Sequence, residues 1–340
     1  MSFLTVIIYK NERKLKMNLK KILLVILLLL IVAIIATGLA LSGYYKIQKT
    51  DKLKVVVTNF ATYDFIRQIA GNNVELQFLL EPGVEAHSYD PTAKDLVDIQ
   101  ESDIFIYIGG EVEKWADRIL ETIDTKNTKT ICLLDTVELI EEQEVDGAEE
   151  HEKHEEQIQA FDEHIWTSPE NAIKIVETLS NVLSENDLKN ARNYEKNATN
   201  YINEIKEVQA KIENIVANKK RDRLVFGDRM PMQYFLKEFG LKASAAFNGC
   251  STDAEPSSST IAYLVEKVKE ESIPVILYIE LGNGKVANVI AENVKSKYNI
   301  NVNVMQIQSF HNVSKKDFEN GESYVSLMNR NLEVLKRALQ

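Results

Sequence analysis

The 340-residue sequence is poor in cysteine, proline and histidine, and an abundance of any of these would have indicated a particular class of protein. It has 2 Cys, 6 Pro and 5 His. Two cysteines are too few for a disulfide framework or a four-cysteine zinc site. Basic residues are the minority, with 40 Lys and Arg against 51 Asp and Glu. Because surfaces that bind nucleic acid are basic, we expect no nucleic-acid partner.

The composition that remains is that of a globular protein. Hydrophobic residues make up 45% of the chain and charged residues 27%. This balance excludes general disorder, and the length suits about two domains. Residues 51–340 contain 32 basic and 50 acidic residues, a net charge of −18. Such an acidic part is soluble and attracts cations.

One long hydrophobic run stands near the N-terminus, at Ile22–Leu41. Twenty uncharged residues form about 30 Å of helix, enough to cross a bilayer. Six Lys and Arg residues precede the run, so residues 1–50 are predicted to be a cytoplasmic stub and an anchor helix, with the rest extracytoplasmic at the cell membrane. A start at Met17 would instead make a cleaved signal. Tyr44 stands where a lipoprotein signal would have its cysteine.

The sequence from residue 51 predicts alternating strands and helices, and therefore parallel sheets joined by helical crossovers. The predicted strands are 54–60, 74–80, 103–108, 130–134, 223–226, 275–279 and 302–307. The predicted helices are 63–70, 91–101, 115–123, 232–239, 260–269, 286–298 and 324–339. We expect an α/β lobe at 51–183 and a second at 220–340.

A long amphipathic helix is predicted between the two lobes, at 184–219. The segment from Ser184 or Asp187 to about Asn218 has no Pro or Gly, and its apolar residues recur at three- and four-residue steps. Its length, about 45 Å, suits a connector that runs along both lobes.

An acidic segment at 140–159 interrupts the first lobe. It contains His151 and His154 and few apolar residues. We expect a mobile loop, which is either an auxiliary site of metal capture or a solvated acidic spacer.

Two further histidines lie in loop sequences of the first lobe. His87 lies in EPGVEAHSYDPT, between a predicted strand and a predicted helix. His164 lies in DEHIWTSP, directly before a helix that Ser168 and Pro169 are predicted to begin. Functional loops of open α/β sheets gather at the carboxyl ends of strands. Each histidine alone is more often structural, but together with the nearby acids they indicate a metal site.

These two phrases resemble the metal-binding substrate-binding proteins of ABC importers, the zinc and manganese type of cluster A-I. The acidic His-bearing loop and the long helix agree with this resemblance, which spans roughly residues 54–340. It implies two α/β lobes on one backbone helix and a single ion held between them. It also implies delivery to an ABC permease with its ATPase subunit, no enzymatic activity and a monomeric state. His87 and His164 match the family's two first-lobe ligands.

The second lobe departs from the family's pattern. The family's third ligand, usually His or Glu, falls at Arg229, which is always protonated and cannot bind a cation. Asp228 is the neighbouring candidate, either as a ligand or as a cap of its turn.

Three residues compete for the fourth position of the metal site. Glu280 follows the predicted strand at 275–279 and is either a ligand or a cap for the next helical region. His311 and Cys250 are held in reserve.

Histidine with carboxylate ligands suits zinc or manganese, and of these two ions we favour zinc. Two alternative functions remain open: a membrane-anchored metallohydrolase, and an adhesion or non-metal solute-binding module on the same fold. The sequence contains no His-Glu-x-x-His motif, which is a disadvantage of the metallohydrolase alternative.

Overall fold

The computed structural model describes residues 27–37, 52–85, 89–148, 161–249 and 255–340. The chain divides into two units, Met1–Lys52 and Leu53–Gln340. In the first unit, residues 27–37 are helical and their side chains are exposed. None of the helices formed by the described residues combines the length and apolarity needed to cross a membrane.

The first lobe, residues 53–183, is built on a parallel sheet in which the chain's first strand is central. Its strands are β1 (Leu53–Val57), β2 (Val74–Phe78), β3 (Ile104–Tyr107) and β4 (Lys129–Cys132), in the order β2-β1-β3-β4. Its helices include α1 (Phe60–Ala70), α2 (Ala93–Gln100) and α3 (Lys114–Thr122). Val55 and Val57 are fully buried beneath α1, as expected of a β-branched run in a parallel sheet.

Two consecutive helices follow the first sheet: α4 (Pro169–Asn186) and α5 (Ala191–Ala217). The 27 residues of α5 extend about 40 Å. The side chain of Asn197 donates to the Ile69 carbonyl of α1. Further along α5, Gln209 donates to Glu238 of the second lobe. The predicted connector helix is therefore present and contacts both lobes, but it begins at Ala191, and residues 184–186 belong to α4.

The second lobe, residues 220–340, repeats the parallel arrangement. Its strands are β5 (Arg223–Arg229), β6 (Lys242–Phe247), β7 (Val275–Ile279) and β8 (Asn303–Ile307), in the order β6-β5-β7-β8. Its helices are α6 (Gln233–Phe239), α7 (Ser258–Glu270), α8 (Lys285–Tyr298), α9 (Lys315–Glu319) and α10 (Tyr324–Leu339). Gly240, in a left-handed conformation, ends α6.

The segment after β8, residues 308–313, joins the two lobes. The amides of Phe60 and Ala61, at the start of α1, donate to the carbonyls of His311 and Phe310. The Asn312 side chain donates to two carbonyls of the loop after β2, those of Glu81 and Val84. This segment therefore holds the carboxyl ends of β8, β1 and β2 close together.

The described start of the acidic segment packs on the second lobe, which differs from the predicted mobile loop. Val145 is buried and its amide donates to the Asn248 side chain. Asp146 pairs with Arg223 and bridges to Ser244. The buried Val145 and the ion pair of Asp146 hold this part of the loop against the second lobe. The acidic composition of the segment does not indicate these contacts.

Candidate metal centre

His164 is the most deeply buried of the described histidines. It directly precedes a short 3₁₀ turn, Ile165–Thr167, and then α4. Ser168 accepts a hydrogen bond from the Asn171 amide, and Pro169 occupies the first helical position, as predicted. The Thr167 hydroxyl donates to the His164 carbonyl at 2.7 Å. The end of the loop is therefore fixed by the helix that follows it.

Asp162 orients the His164 ring. Its Oδ1 accepts from the His164 amide at 2.7 Å and lies 3.2 Å from Nδ1 of the same residue. Burial lowers the pKa of His164, but the hydrogen bond and charge of Asp162 and the charges of Glu163 and Glu142 outweigh it, so the pKa is raised. A carboxylate on one ring nitrogen is the usual partner of a histidine that binds metal through the other.

His311 lies against His164. The two ring centroids are 5.6 Å apart, with 77° between the ring planes. Both rings also contact Trp166 edge to face, at 5.7 Å for His164 and 5.1 Å for His311. The indole nitrogen of Trp166 donates to the Ser309 carbonyl at 2.8 Å, which couples the two histidine-bearing segments.

Glu280 directly follows β7 and is 6% exposed. Its Oε2 accepts from the Ser309 amide and its Oε1 from the Ser309 hydroxyl, both at 2.6 Å. Burial raises the pKa of Glu280, although the bonds from Ser309 oppose the shift. The alternative that Glu280 caps the next helix is wrong, because its oxygens hold the segment after β8 instead.

His164, His311 and Glu280 border one small cavity of about 20 Å³ between the lobes. Glu85, Gly249 and Ser309 also line it. A space of this size holds about one water molecule or one ion. Within the described ranges, no three His, Cys, Asp or Glu side chains are close enough together to hold an ion by themselves.

Asp228 and Arg229 lie beside this cavity, in an adjoining chamber of about 220 Å³. Asp228 accepts hydrogen bonds from the amides of Arg229 and Ile279. Arg229 forms an ion pair with Glu85 of the first lobe at 3.2 Å. Glu85 and Glu280 border both spaces, whereas Asp228 borders the chamber alone. Among the predicted second-lobe ligands, the structure therefore places Glu280 and His311, but not Asp228, beside His164.

Four of the predicted metal-binding residues lie outside the described residues: His87, Cys250, His151 and His154. The ends of the described chain on either side of His87 are Glu85 and Tyr89, and Glu85 lines the cavity. Gly249, the neighbour of Cys250, lines it as well.

Two buried carboxylates behind His164 were not found from the sequence. Glu163 accepts from the amides of Glu111 and Val112, and Glu113 accepts from those of Ile108 and Gly109. Burial raises the pKa of each carboxyl group to about 7. Both residues fasten the loop after β3 next to His164. The sequence signal for Glu163 was the run of acids before His164.

Fold and site together define a class: a two-lobed α/β binding protein with an ion-sized cavity where the carboxyl ends of two parallel sheets meet. Residues 55–338 match the family model described as ZnuA, zinc-uptake complex component A, periplasmic. The chain belongs to this family. The family resemblance stated from the sequence is thereby confirmed, together with the α/β fold on a long helix. The family is one of transport components, so the metallohydrolase alternative is not retained.

Two known proteins and one crystal structure illustrate the similarity. The zinc-binding lipoprotein AdcA of Streptococcus pneumoniae (strain ATCC BAA-255 / R6) is 32% identical over 295 residues, covering 85% of this chain and 56% of AdcA. The chain thus spans about half the length of that relative. The high-affinity zinc uptake system protein ZnuA of Bacillus subtilis (strain 168) is 30% identical over 295 residues, covering 86% of this chain and 89% of ZnuA. The crystal structure of the Zn(II)-bound ZnuA-like domain of S. pneumoniae AdcA superposes with a TM-score of 0.68 and 30% identity. The match covers 85% of this chain and 99% of that domain.

Proposed function

We propose that this chain is the extracytoplasmic binding component of an ABC importer, and that it captures one Zn²⁺ ion between its lobes. The observation that carries the proposal is the ion-sized cavity, to which the first lobe contributes His164 and the second lobe Glu280. The relatives named above are described as zinc-binding and zinc-uptake proteins, which supports zinc as the cargo.

The proposed ligands are His87 and His164 from the first lobe and Glu280 from the second. Imidazole nitrogen with carboxylate oxygen is a ligand set that zinc accepts readily, and a manganese site would be richer in oxygen. Asp162 would hold the His164 ring in orientation, and Ser309 would do the same for Glu280. We assign Asp228 a structural role at the carboxyl end of β5, because it lines the other chamber and bonds two backbone amides.

Release and capture would follow from the placement of the ligands on two lobes. An ion bound by both lobes stabilises their closed arrangement, and a permease that separates them weakens the site. The permease and its ATPase subunit are the partners that this role requires. His151 and His154 would bind zinc weakly at the surface and pass it inward. The N-terminal segment would keep the protein at the outer face of the cell membrane.

Thermal unfolding of the full-length chain, purified in mild detergent and freed of metal, tests this proposal. Zinc that binds only the folded state stabilises it by about 2.7 kcal/mol at a free concentration of a hundred times the Kd, and therefore raises the melting temperature. We expect a rise with zinc, a smaller one with manganese, and none with zinc in His164→Ala. Asp228→Asn is the matched control and should respond as the unmodified chain does. A melting temperature that no divalent ion changes would contradict the proposed function.

A further inference from the structure

We infer that Arg229 competes with zinc for Glu85: the arginine neutralises this carboxylate across the boundary between the lobes, and a zinc ion that binds beside it displaces the arginine. This inference rests on the proposed function, because it concerns how the same zinc site is filled. It gives a role to two residues that are not among the proposed ligands. The argument depends on where the ion pair lies, on how its residues are held and on how far they are withdrawn from water.

The ion pair spans the two lobes at the edge of the cavity. Arg229 ends β5 in the second lobe, and Glu85 lies in the loop after β2 in the first lobe. Nη2 of Arg229 is 3.2 Å from Oε2 of Glu85. Glu85 lines the ion-sized cavity together with His164 and Glu280, whereas Arg229 lines the adjoining chamber. The Glu85 carboxylate therefore lies between a permanent cation and the place proposed for zinc.

The loop that carries Glu85 is fastened to the segment after β8. The Gly83 amide donates to the Val313 carbonyl at 2.8 Å. The Asn312 side chain donates to the Val84 carbonyl at 2.7 Å, one residue before Glu85. These bonds fix the backbone of the loop, while the side chain of Glu85 keeps rotatable bonds through which it can turn to either partner.

The backbone of Arg229 is fixed at the carboxyl end of β5. Its amide donates to the Asp228 carboxylate at 2.8 Å, and the same side chain accepts from the Ile279 amide at the end of β7, at 3.2 Å. The pairing of β5 with β6 shifts register between Phe226 and Arg229. Because an irregularity of this kind changes the direction of a side chain, the strand end can place the guanidinium against Glu85.

The partial burial of this pair makes it relevant to a divalent cation. The side chain of Arg229 is 18% exposed and that of Glu85 is 41% exposed. Fully exposed pairs are screened by water and salt, but charges withdrawn from water interact more strongly at the same distance. The guanidinium stays protonated, so it neutralises Glu85 and repels Zn²⁺ at the same time. Removal of this charge should therefore strengthen zinc binding.

Lys285 provides a comparison within the same chamber. It also lines the chamber, but its ammonium group pairs with Glu255 at 2.9 Å, and its side chain is 68% exposed. Its charge is therefore screened by solvent and does not act on Glu85. If the net charge of the chamber alone determined the affinity for zinc, the loss of either cation would have the same effect.

The test is a competition titration of zinc against a chromophoric chelator, with the full-length chain in mild detergent. We expect Arg229→Met, which removes the charge, to bind zinc at least tenfold more tightly than the unmodified chain. Arg229→Lys keeps the charge and Lys285→Met is the matched control, so both should stay within threefold. If Arg229→Met binds zinc no more tightly than the unmodified chain, or if Lys285→Met gains as much, the inference is wrong.

A measurement on the unmodified chain covers the case in which Arg229→Met does not fold. In a zinc-loaded crystal structure, we expect the Glu85 carboxylate to lie more than about 4 Å from the Arg229 guanidinium, beyond the reach of an ion pair. Zinc bound between the lobes with this ion pair intact would overturn the inference and leave the proposed function standing. A chain that binds no zinc would overturn both.

Discussion

At the residue scale, the centre depends on how Asp162 and Glu280 hold their neighbours. Asp162 fixes one nitrogen of His164, and Glu280 fixes the amide and hydroxyl of Ser309. Each acid therefore determines the orientation of a group at the cavity. Since a buried histidine can take several ring orientations without a partner, this support contributes to metal affinity as well as to folding.

Replacement of Asp162 by Asn should weaken zinc binding by about 10- to 100-fold. The amide keeps a hydrogen-bond acceptor near Nδ1 but removes the negative charge that makes the imidazole a stronger donor to zinc. Competition titration at pH 8 measures the effect. Asp222→Asn is the control, since Asp222 pairs with Lys242 at the surface. Equal affinities for the two variants would show that Asp162 has no such role.

Glu113 should make the stability of the protein depend on pH. Burial raises the pKa of Glu113 to about 7, although hydrogen bonds from the amides of Ile108 and Gly109 oppose the shift. The folded state therefore holds its proton more tightly than the unfolded state does. The resulting stabilisation is full below about pH 4.5 and is lost as the pH rises through 7.

Glu113→Gln should remove that contribution, which amounts to about 3 kcal/mol across the window. Urea unfolding between pH 4.5 and 7.5 measures it. The free energy of unfolding should decline less steeply with pH in Glu113→Gln than in the unmodified chain. Glu111→Gln, at an exposed position of the same loop, is the control. Parallel pH profiles for Glu113→Gln and the unmodified chain would exclude this role.

The sequence indicated part of the candidate site. His164 and Glu280 were found because each lies in a loop directly after or before a regular element. The contact between His164 and His311 was not found, since the two residues are 147 positions apart in the chain. Only the packing of Trp166 on both rings and the bonds of the segment after β8 bring them together. The role of Asp162 likewise depends on the local fold of its turn.

At the scale of elements, the strands and helices with strong apolar periodicity were predicted well. Strand β7 and helix α10 have the predicted bounds, Val275–Ile279 and Tyr324–Leu339. Strand β6 (Lys242–Phe247) was missed, because KASAAF contains three alanines and no β-branched residue. The boundary between α4 and α5 was predicted a few residues early, at Ser184 or Asp187, whereas α5 begins at Ala191. There, Asp187 accepts from the side chains of Asn190 and Tyr194, and this local turn interrupts a helical pattern.

The packing of β5 on α8 depends on Gly227. A Cβ added at this position would lie 2.3 Å from the Cα of Ala287. Because the Ala287 Cα belongs to the backbone and cannot rotate aside, Gly227→Ala should shift the helix or the strand and cost at least about 2 kcal/mol. Differential scanning calorimetry should show a melting temperature several degrees lower.

Gly240→Ala is the matched control for Gly227→Ala. Gly240 ends α6, and no atom lies within 4 Å of an added Cβ there. Its positive φ of 60° costs about 1 kcal/mol when alanine replaces glycine. Gly227→Ala should therefore be the less stable variant. The reverse order would show that β5 and α8 are free to move apart.

At the scale of the whole second unit, the long helix α5 and the segment after β8 limit how far the lobes can move. The first runs along both lobes, and the second bonds the carboxyl end of β8 to α1 and to the loop after β2. We therefore expect only a small movement of the lobes on zinc binding. Solution scattering of matched zinc-free and zinc-loaded samples should give the same radius of gyration within error. A large change would mean that the lobes hinge freely.

The central claim is that one zinc ion binds between the lobes, at the cavity bordered by His164 and Glu280. Calorimetric titration of zinc into the full-length chain tests it most directly, with His164→Ala measured beside it. We predict one tight equivalent of zinc per chain, lost in His164→Ala, while any weaker binding at the acidic segment persists in both. Titrations that are identical for the two proteins, or that show no tight equivalent in the unmodified chain, would contradict it.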